Sequence, residues 1–120
     1  MKNKDNGNCN PTNKFIEIYE QSIIESLLIF GHHFAGIISL HLKEKYSISR
    51  LGDTVYNPRI LTDAMECLMD ASAIIIQRRI IRLVYHRIGI ELSFSYDFNF
   101  EERILNAKKE FENRYSNQLN

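Results

Sequence analysis

The chain has 120 residues, 44% of them hydrophobic, which is enough for one buried core and too few for two ordinary domains. Its 15 Lys and Arg residues balance its 15 Asp and Glu residues, so no net charge draws it toward nucleic acid or an anionic membrane. Cys9 and Cys67 form neither a disulfide framework nor a metal-ligand spacing, and no signal-peptide pattern is present, so we expect a cytoplasmic protein without a membrane span.

The first segment, residues 1–13, is rich in Asn and Lys and contains Gly7, Pro11 and almost no large apolar side chain. Such a segment cannot bury enough surface to offset the entropy lost on ordering. We therefore predict a disordered polar tail, followed by a helical core domain over residues 14–90.

Two helices are predicted in the first half of this core. Apolar residues recur at steps of three and four from Lys14 to Gly31 and again from Phe34 to Leu42, the period of an amphipathic helix. Gly31 suits the end of the first helix. We expect these two helices to form a hairpin, followed by an ordered connector over residues 46–56.

A second helical pair is predicted after the connector. Asn57 is expected to accept hydrogen bonds from free amides at the start of helix three, with Pro58 in its first turn. Helix four is expected over Ala73 to Ile88 and ends at Gly89. The sequence leaves open whether helices three and four are separate or one bent rod.

The C-terminal third has a different pattern. Over residues 91–99, apolar and polar residues alternate, which is typical of an extended or strand-like segment that docks on the helices or pairs with a second copy. Asn99 and Glu102 predict the start of an amphipathic helix over residues 100–116. The predicted fold is all-α: a small bundle of two helical hairpins, a C-terminal extended aromatic segment and an amphipathic helix.

Helix four carries a basic stripe that is a candidate interaction surface. Some of its residues lie one helical turn apart and could contact phosphates. One hypothesis is therefore that the protein is a nucleic-acid-binding transcriptional regulator. The alternative is that this face pairs with an acidic stripe of helix three or stays solvated, and the absence of overall basicity favours that alternative. The basic residues are Arg78, Arg79, Arg82, His86 and Arg87, of which the first four are the candidate surface, and the acidic ones are Asp63, Glu66 and Asp70.

Helix four is also apolar over more than one stripe. A helix of this kind must be covered on several sides, either by its own neighbours or by a second subunit. If a homodimer forms, the candidate contacts on helix four and the aromatic segment are Ile75, Ile81, Phe94, Tyr96 and Phe98.

No pattern in the chain indicates catalysis, a metal or a cofactor. There is no Gly-rich phosphate loop or nucleophile elbow, and His32, His33, His41 and His86 lack the spacing of a helical metal site. We therefore predict a non-enzymatic protein. A small-ligand sensor would require a cavity between the helical pairs, lined by Phe34, Met65 and Tyr85.

An ordered set of packing residues carries a family resemblance. It consists of Leu27-x-x-x-Gly31, His41-Leu42, Tyr46-Ser47-Ile48, Asn57-Pro58, Ala64, Ala73 with Ile75-Ile76, and Val84-Tyr85-x-x-Ile88-Gly89-Ile90. With this pattern, residues 23–90 resemble a family of small helical output domains from signal-transduction proteins of ammonia-oxidising archaea. The chain departs from it where a Phe-Gly pair would be expected, at Met69-Asp70, and where an acidic residue would be expected, at Gln77.

The resemblance implies a regulatory, protein-binding module and offers no catalytic motif to transfer. Combined with the apolar helix four, it predicts a cytoplasmic interaction module that self-associates or binds a protein partner. Nucleic-acid binding through Arg78, Arg79 and Arg82 is the alternative.

Overall fold

The computed structural model describes residues 10–92 and 98–119, which form five α-helices joined in part by short 3₁₀ turns. The helices are α1 (Pro11–Leu27), α2 (Phe34–Tyr46), α3 (Pro58–Met69), α4 (Ala73–Ile88) and α5 (Phe100–Leu119). The 3₁₀ turns are Leu28–Phe30, Leu51–Tyr56 and Asp70–Ser72. The described residues contain no strand, and the prediction of an all-α fold is confirmed.

Helix α1 begins three residues earlier than the sequence predicted. The Asn10 side chain accepts hydrogen bonds from the Thr12 N–H at 2.7 Å and the Asn13 N–H at 3.3 Å. Pro11 occupies the first turn, where a missing N–H costs nothing. The predicted tail is therefore wrong for residues 11–13, because a cap and a proline start the helix there; residues 1–9 lie outside the described residues.

The junction of α3 and α4 resolves the question of one rod or two helices. The chain leaves α3 through Asp70, whose backbone has φ 53° and ψ −130°, and enters α4 after one 3₁₀ turn. They are two separate helices. The start of α3 differs from prediction: the Asn57 side chain makes no capping bond, and its backbone carbonyl accepts from the Ile60 N–H at 3.0 Å.

The core is centred on α1, which packs most extensively against α4 and also against α5 and the Leu51–Tyr56 turn. Helix α2 packs mainly against α3 and only slightly against α1. The expected hairpin of the first two helices is therefore not the main packing unit. The large, fully buried side chains include Phe15, Tyr19, Ile23, Leu27, Ile38, Leu42, Leu61, Met65, Ile76, Ile80, Ile81 and Ile104.

A buried hydrogen-bonded pair ties the connector to α1. The Thr54 hydroxyl donates to the Leu51 carbonyl at 2.8 Å, so the Tyr19 hydroxyl, 2.8 Å away, donates to Thr54 Oγ1. Burial raises the pKa of Tyr19 and outweighs the opposite effect of this hydrogen bond. The predicted ordered connector, anchored here and by buried Leu51 and Val55, is confirmed.

The C-terminal helix starts as the sequence predicted. The Glu102 N–H donates to Asn99 Oδ1 at 3.0 Å, and α5 buries Phe100, Ile104 and Ala107. The helix continues to Leu119, three residues past the expected end. Leu92, Phe98 and Asn99 have no regular secondary structure, and the centre of the predicted strand, residues 93–97, lies outside the described residues.

Candidate functional site

The end of the bundle where α1 turns into α2 carries a group of exposed apolar side chains. Their exposed fractions range from 45% to 56%. Three belong to the 3₁₀ turn and two lie one helical turn apart on α2, and the Phe30 ring packs 5.6 Å from the Phe34 ring at the start of α2. We call this group the junction surface: Leu28, Ile29, Phe30, Ile37 and Leu40.

The sequence builds this surface from an uncharged run. Residues 26–42 contain no Asp, Glu, Lys or Arg, and Glu25 and Lys43 flank them. Helix α2 buries Ile38 and Leu42 against its neighbours, so Ile37 and Leu40, which lie on the other side of the helix, face outward. Sequence patterning placed Leu28, Phe30 and Ile37 on the apolar stripes of two predicted helices. It did not single out Ile29 or Leu40, and it missed the junction surface. The sequence feature that could have revealed this surface is the absence of charged residues around two adjacent apolar stripes.

The predicted basic stripe lies on the exposed face of α4. Arg78, Arg79, Arg82 and His86 are all exposed, and Ile75, 61% exposed, shares the face. The Arg78 guanidinium lies 5.4 Å from the centre of the Phe98 ring.

A fifth cation of α4, Arg87, turns away from this stripe toward α1. Its guanidinium donates to Ser22 Oγ at 3.1 Å and to the Glu25 carboxylate. This bond, with a further bond from Gln21 and the charges of Arg87 and Arg79, holds the pKa of Glu25 below its usual value. Arg87 therefore joins α4 to α1.

The candidate dimer contacts differ in how exposed they are. Ile75 is on the surface, whereas Ile81 has no exposed surface because it faces α4's neighbours within the chain. Ile81 as a dimer contact is therefore wrong. Phe98 is half-buried beneath Arg78, and Phe94 and Tyr96 lie outside the described residues.

The acidic residues of α3 line a cavity of about 410 Å³ between α3, α4 and the start of α5. Asp63 and Glu66 belong to its wall, together with Arg59 and Glu101. Gln77 and Phe98 also line the cavity. The sensor cavity considered from sequence would lie elsewhere, and two of its three residues, Met65 and Tyr85, are buried in the core.

A second charged contact fixes the connector on α1. Glu20 accepts from Arg50 at 2.8 Å and from the Gly52 N–H at 2.9 Å. Partial burial raises the pKa of Glu20, but the hydrogen bonds from Arg50 and Gly52 and the Arg50 charge outweigh it and leave the pKa below its usual value. The Glu20 carboxylate therefore has a structural role, which is to hold the connector on α1.

No group of three or more His, Cys, Asp or Glu side chains in residues 10–92 and 98–119 is arranged to hold a metal ion. Within the same residues, no helix has the length and apolar character that a membrane crossing requires.

Comparison with protein-family models, with curated proteins and with solved structures gives no match to this chain.

Proposed function

We propose that this protein is a non-enzymatic regulatory module that associates with a second copy of itself through the junction surface. One observation carries the proposal: large apolar side chains of the 3₁₀ turn and α2 are about half exposed within a run that has no charged residue. Exposed apolar patches of this kind mark interaction sites more often than chance placement does.

The size of the patch suits a dimer. With roughly 190 Å² for each fully exposed large apolar side chain, the five side chains present about 450 Å² of apolar surface per copy. Two copies would cover about 900 Å², and a polar rim would bring the total near the lower end of specific interfaces, about 1,200 Å².

A second copy suits this surface better than an oppositely charged partner. Residues 26–42 offer no charge that would select such a partner, and the zero formal charge of the chain adds no repulsion between copies. A twofold axis through the junction surface would place the same apolar residues against each other without burying an unpaired charge.

The test is the mass in solution of wild type and of the double variant Ile37→Glu/Leu40→Glu, measured by sedimentation equilibrium. We expect wild type to approach twice the monomer mass of 14.1 kDa as concentration rises, and the variant to remain monomeric. Buried carboxylates without partners oppose association strongly.

Two single variants locate the interface. Leu105→Glu changes an apolar side chain of α5 that is 44% exposed, and Ile75→Glu changes an apolar side chain of α4 that is 61% exposed. Both should still dimerise. A monomeric wild type would contradict self-association, and dissociation by Ile75→Glu alone would move the interface to α4.

The family resemblance supports the same class of function, since output domains of signalling proteins act through protein contacts. Nucleic-acid binding remains the alternative, supported by the exposed stripe of Arg79, Arg82 and His86. Its signature would be binding to duplex DNA at physiological salt that weakens in Arg82→Ala, with a reduced salt dependence.

A further inference from the structure

Two exposed histidines lie within the junction surface. His32 and His33 come between the 3₁₀ turn Leu28–Phe30, which supplies three residues of that surface, and α2, which supplies the other two. Three of the apolar side chains therefore precede the histidines in the chain and two follow them. Any molecule that covers the whole junction surface also covers this pair.

His33 shares the outward face of α2 with the two apolar residues. The Ile37 N–H donates to the His33 carbonyl at 3.1 Å, so His33 lies one helical turn before Ile37. Leu40 follows His33 by seven residues, which places it two turns along on the same side of the helix. The His33 side chain makes no capping hydrogen bond to the start of α2. Its imidazole is therefore part of the face that a second copy would meet.

The elements packed against the turn and α2 bring little negative charge to these histidines. The last two turns of α1 contain one charged residue, Glu25, and its carboxylate is bonded to Arg87. The charged residues of α3 are Arg59, Asp63 and Glu66, and all three line the cavity shared with α4 and α5. The uncharged run that builds the junction surface has no Asp or Glu of its own.

The other titratable groups of α2 lie farther along the helix. His41 is half-buried, and its Nε2 is buried. Lys43, Glu44 and Lys45 all follow the last apolar residue of the junction surface, at the end away from the 3₁₀ turn. A twofold axis through the middle of the surface would therefore bring the histidines of two copies closer to each other than to Glu44 of the second copy.

We propose that protonation of His32 and His33 dissociates the dimer, so that self-association through the junction surface is prevented by mild acidification. This inference rests on the proposed function. Histidine is the side chain whose charge ordinarily changes between about pH 8 and pH 5. In the acidified dimer, two imidazolium ions from each copy would lie in an apolar interface, where they repel one another and lose hydrating water.

The test is sedimentation equilibrium of the full chain at about pH 7.5 and at about pH 5.5, on either side of the usual histidine titration. We expect the dimer dissociation constant to rise at least about tenfold at the lower pH, because the free monomer binds more protons than the dimer. Glu20 and Glu25 stay ionised at both pH values, since their pKa values lie below the usual 4.5. Circular dichroism should therefore show the same helix content at both.

Two variants identify the titrating groups. His32→Gln/His33→Gln keeps polar side chains that cannot gain a proton, and it should dimerise with the same dissociation constant at both pH values. His86→Gln changes an exposed histidine of α4 and is the matched control. It should keep the full pH dependence of wild type.

The outcomes separate this inference from the proposed function. A wild type that dimerises equally at both pH values would overturn the pH dependence and leave the proposed dimer intact. Tighter association at the lower pH would also overturn it, because the histidines would then face carboxylates such as Glu44 across the interface. A pH dependence retained by His32→Gln/His33→Gln would place the titrating group elsewhere and likewise contradict it. A chain that is monomeric at both pH values would overturn self-association and its pH dependence together.

Discussion

Asp70 adopts a backbone conformation that costs free energy for any residue with a Cβ atom. Its φ of 53° with ψ of −130° lies in a region that glycine populates readily. We predict that Asp70→Gly raises the free energy of unfolding by about 1 kcal/mol, because the strain is relieved in the folded state. Urea unfolding with an unchanged slope would measure it.

The matched control is Asp53→Gly. Asp53 lies in the Leu51–Tyr56 turn without a positive φ, so glycine there adds only chain entropy to the unfolded state. We expect it to lower the free energy of unfolding by roughly 0.5–1 kcal/mol. If both variants moved stability in the same direction, backbone strain at Asp70 would not be the cause.

The role of a single residue could be predicted from sequence where it depends only on neighbouring residues of the chain. Gly89 ends α4 with φ 75°, and Asn99 caps α5, both as their sequence neighbours indicate. Asn57 was not predictable, because its ψ of 79° departs from the extended value near 126° that lets Asn10 cap α1.

The Leu51–Tyr56 turn approaches α1 closely at a glycine. A Cβ added to Gly52 would lie 2.8 Å from Ile16 Cγ2 and 3.1 Å from Glu20 Cβ, so the Leu51–Tyr56 turn rests directly on α1. We predict that Gly52→Ala lowers the free energy of unfolding by about 1–3 kcal/mol, because the turn must move away from a packed helix. Thermal and urea unfolding would both report the loss.

The same substitution at Gly36 is expected to have the opposite effect on stability. It lies within α2, has no positive φ, and an added Cβ meets nothing within 4 Å. Gly36→Ala should raise the free energy of unfolding by roughly 0.5–1 kcal/mol through helix propensity. A loss of stability on Gly36→Ala would show that this face of α2 is already covered, for instance by a second copy.

The existence and type of the helices could be predicted from sequence, but their partners could not. The period of apolar residues is a local property, and it located all five helices of the described residues to within a few positions. Which helix covers which face depends on three-dimensional packing. For this reason Ile81 was assigned to a dimer interface and proved to be core. Leu28, Phe30 and Ile37, placed on apolar helix stripes, proved to be about half exposed.

The candidate sites likewise include one that could be predicted from the sequence and one that could not. The basic face of α4 follows directly from helical spacing, and its residues are exposed in the structure. The cavity joins α3, α4 and residues 98–101, which no periodicity relates to one another. Nor could the sequence show that Gln77, one polar residue in an apolar helix, is buried without a partner for its Nε2.

At the scale of the whole molecule, α1 is the element on which α4, α5 and the connector pack, and two of its carboxylates bind the connector and α4. Glu20 binds the connector through Arg50 and Gly52, and Glu25 binds α4 through Arg87. Both pKa values lie below the usual Glu value of 4.5. A carboxylate with a lowered pKa in the folded state stabilises the fold above the unfolded pKa and loses that contribution as the pH falls through the folded value.

We therefore predict that wild type loses stability on acidification below about pH 5, and that Glu20→Gln/Glu25→Gln loses less. The double variant should be the less stable protein near pH 7, and the difference should shrink as the pH falls below the usual Glu pKa of 4.5 and through the lower folded values. Urea unfolding at several pH values would follow it, with Glu44→Gln as the control that retains the wild-type profile. A difference that stays constant with pH would mean that packing at these positions, rather than the ionised carboxylates, holds the connector and α4 on α1.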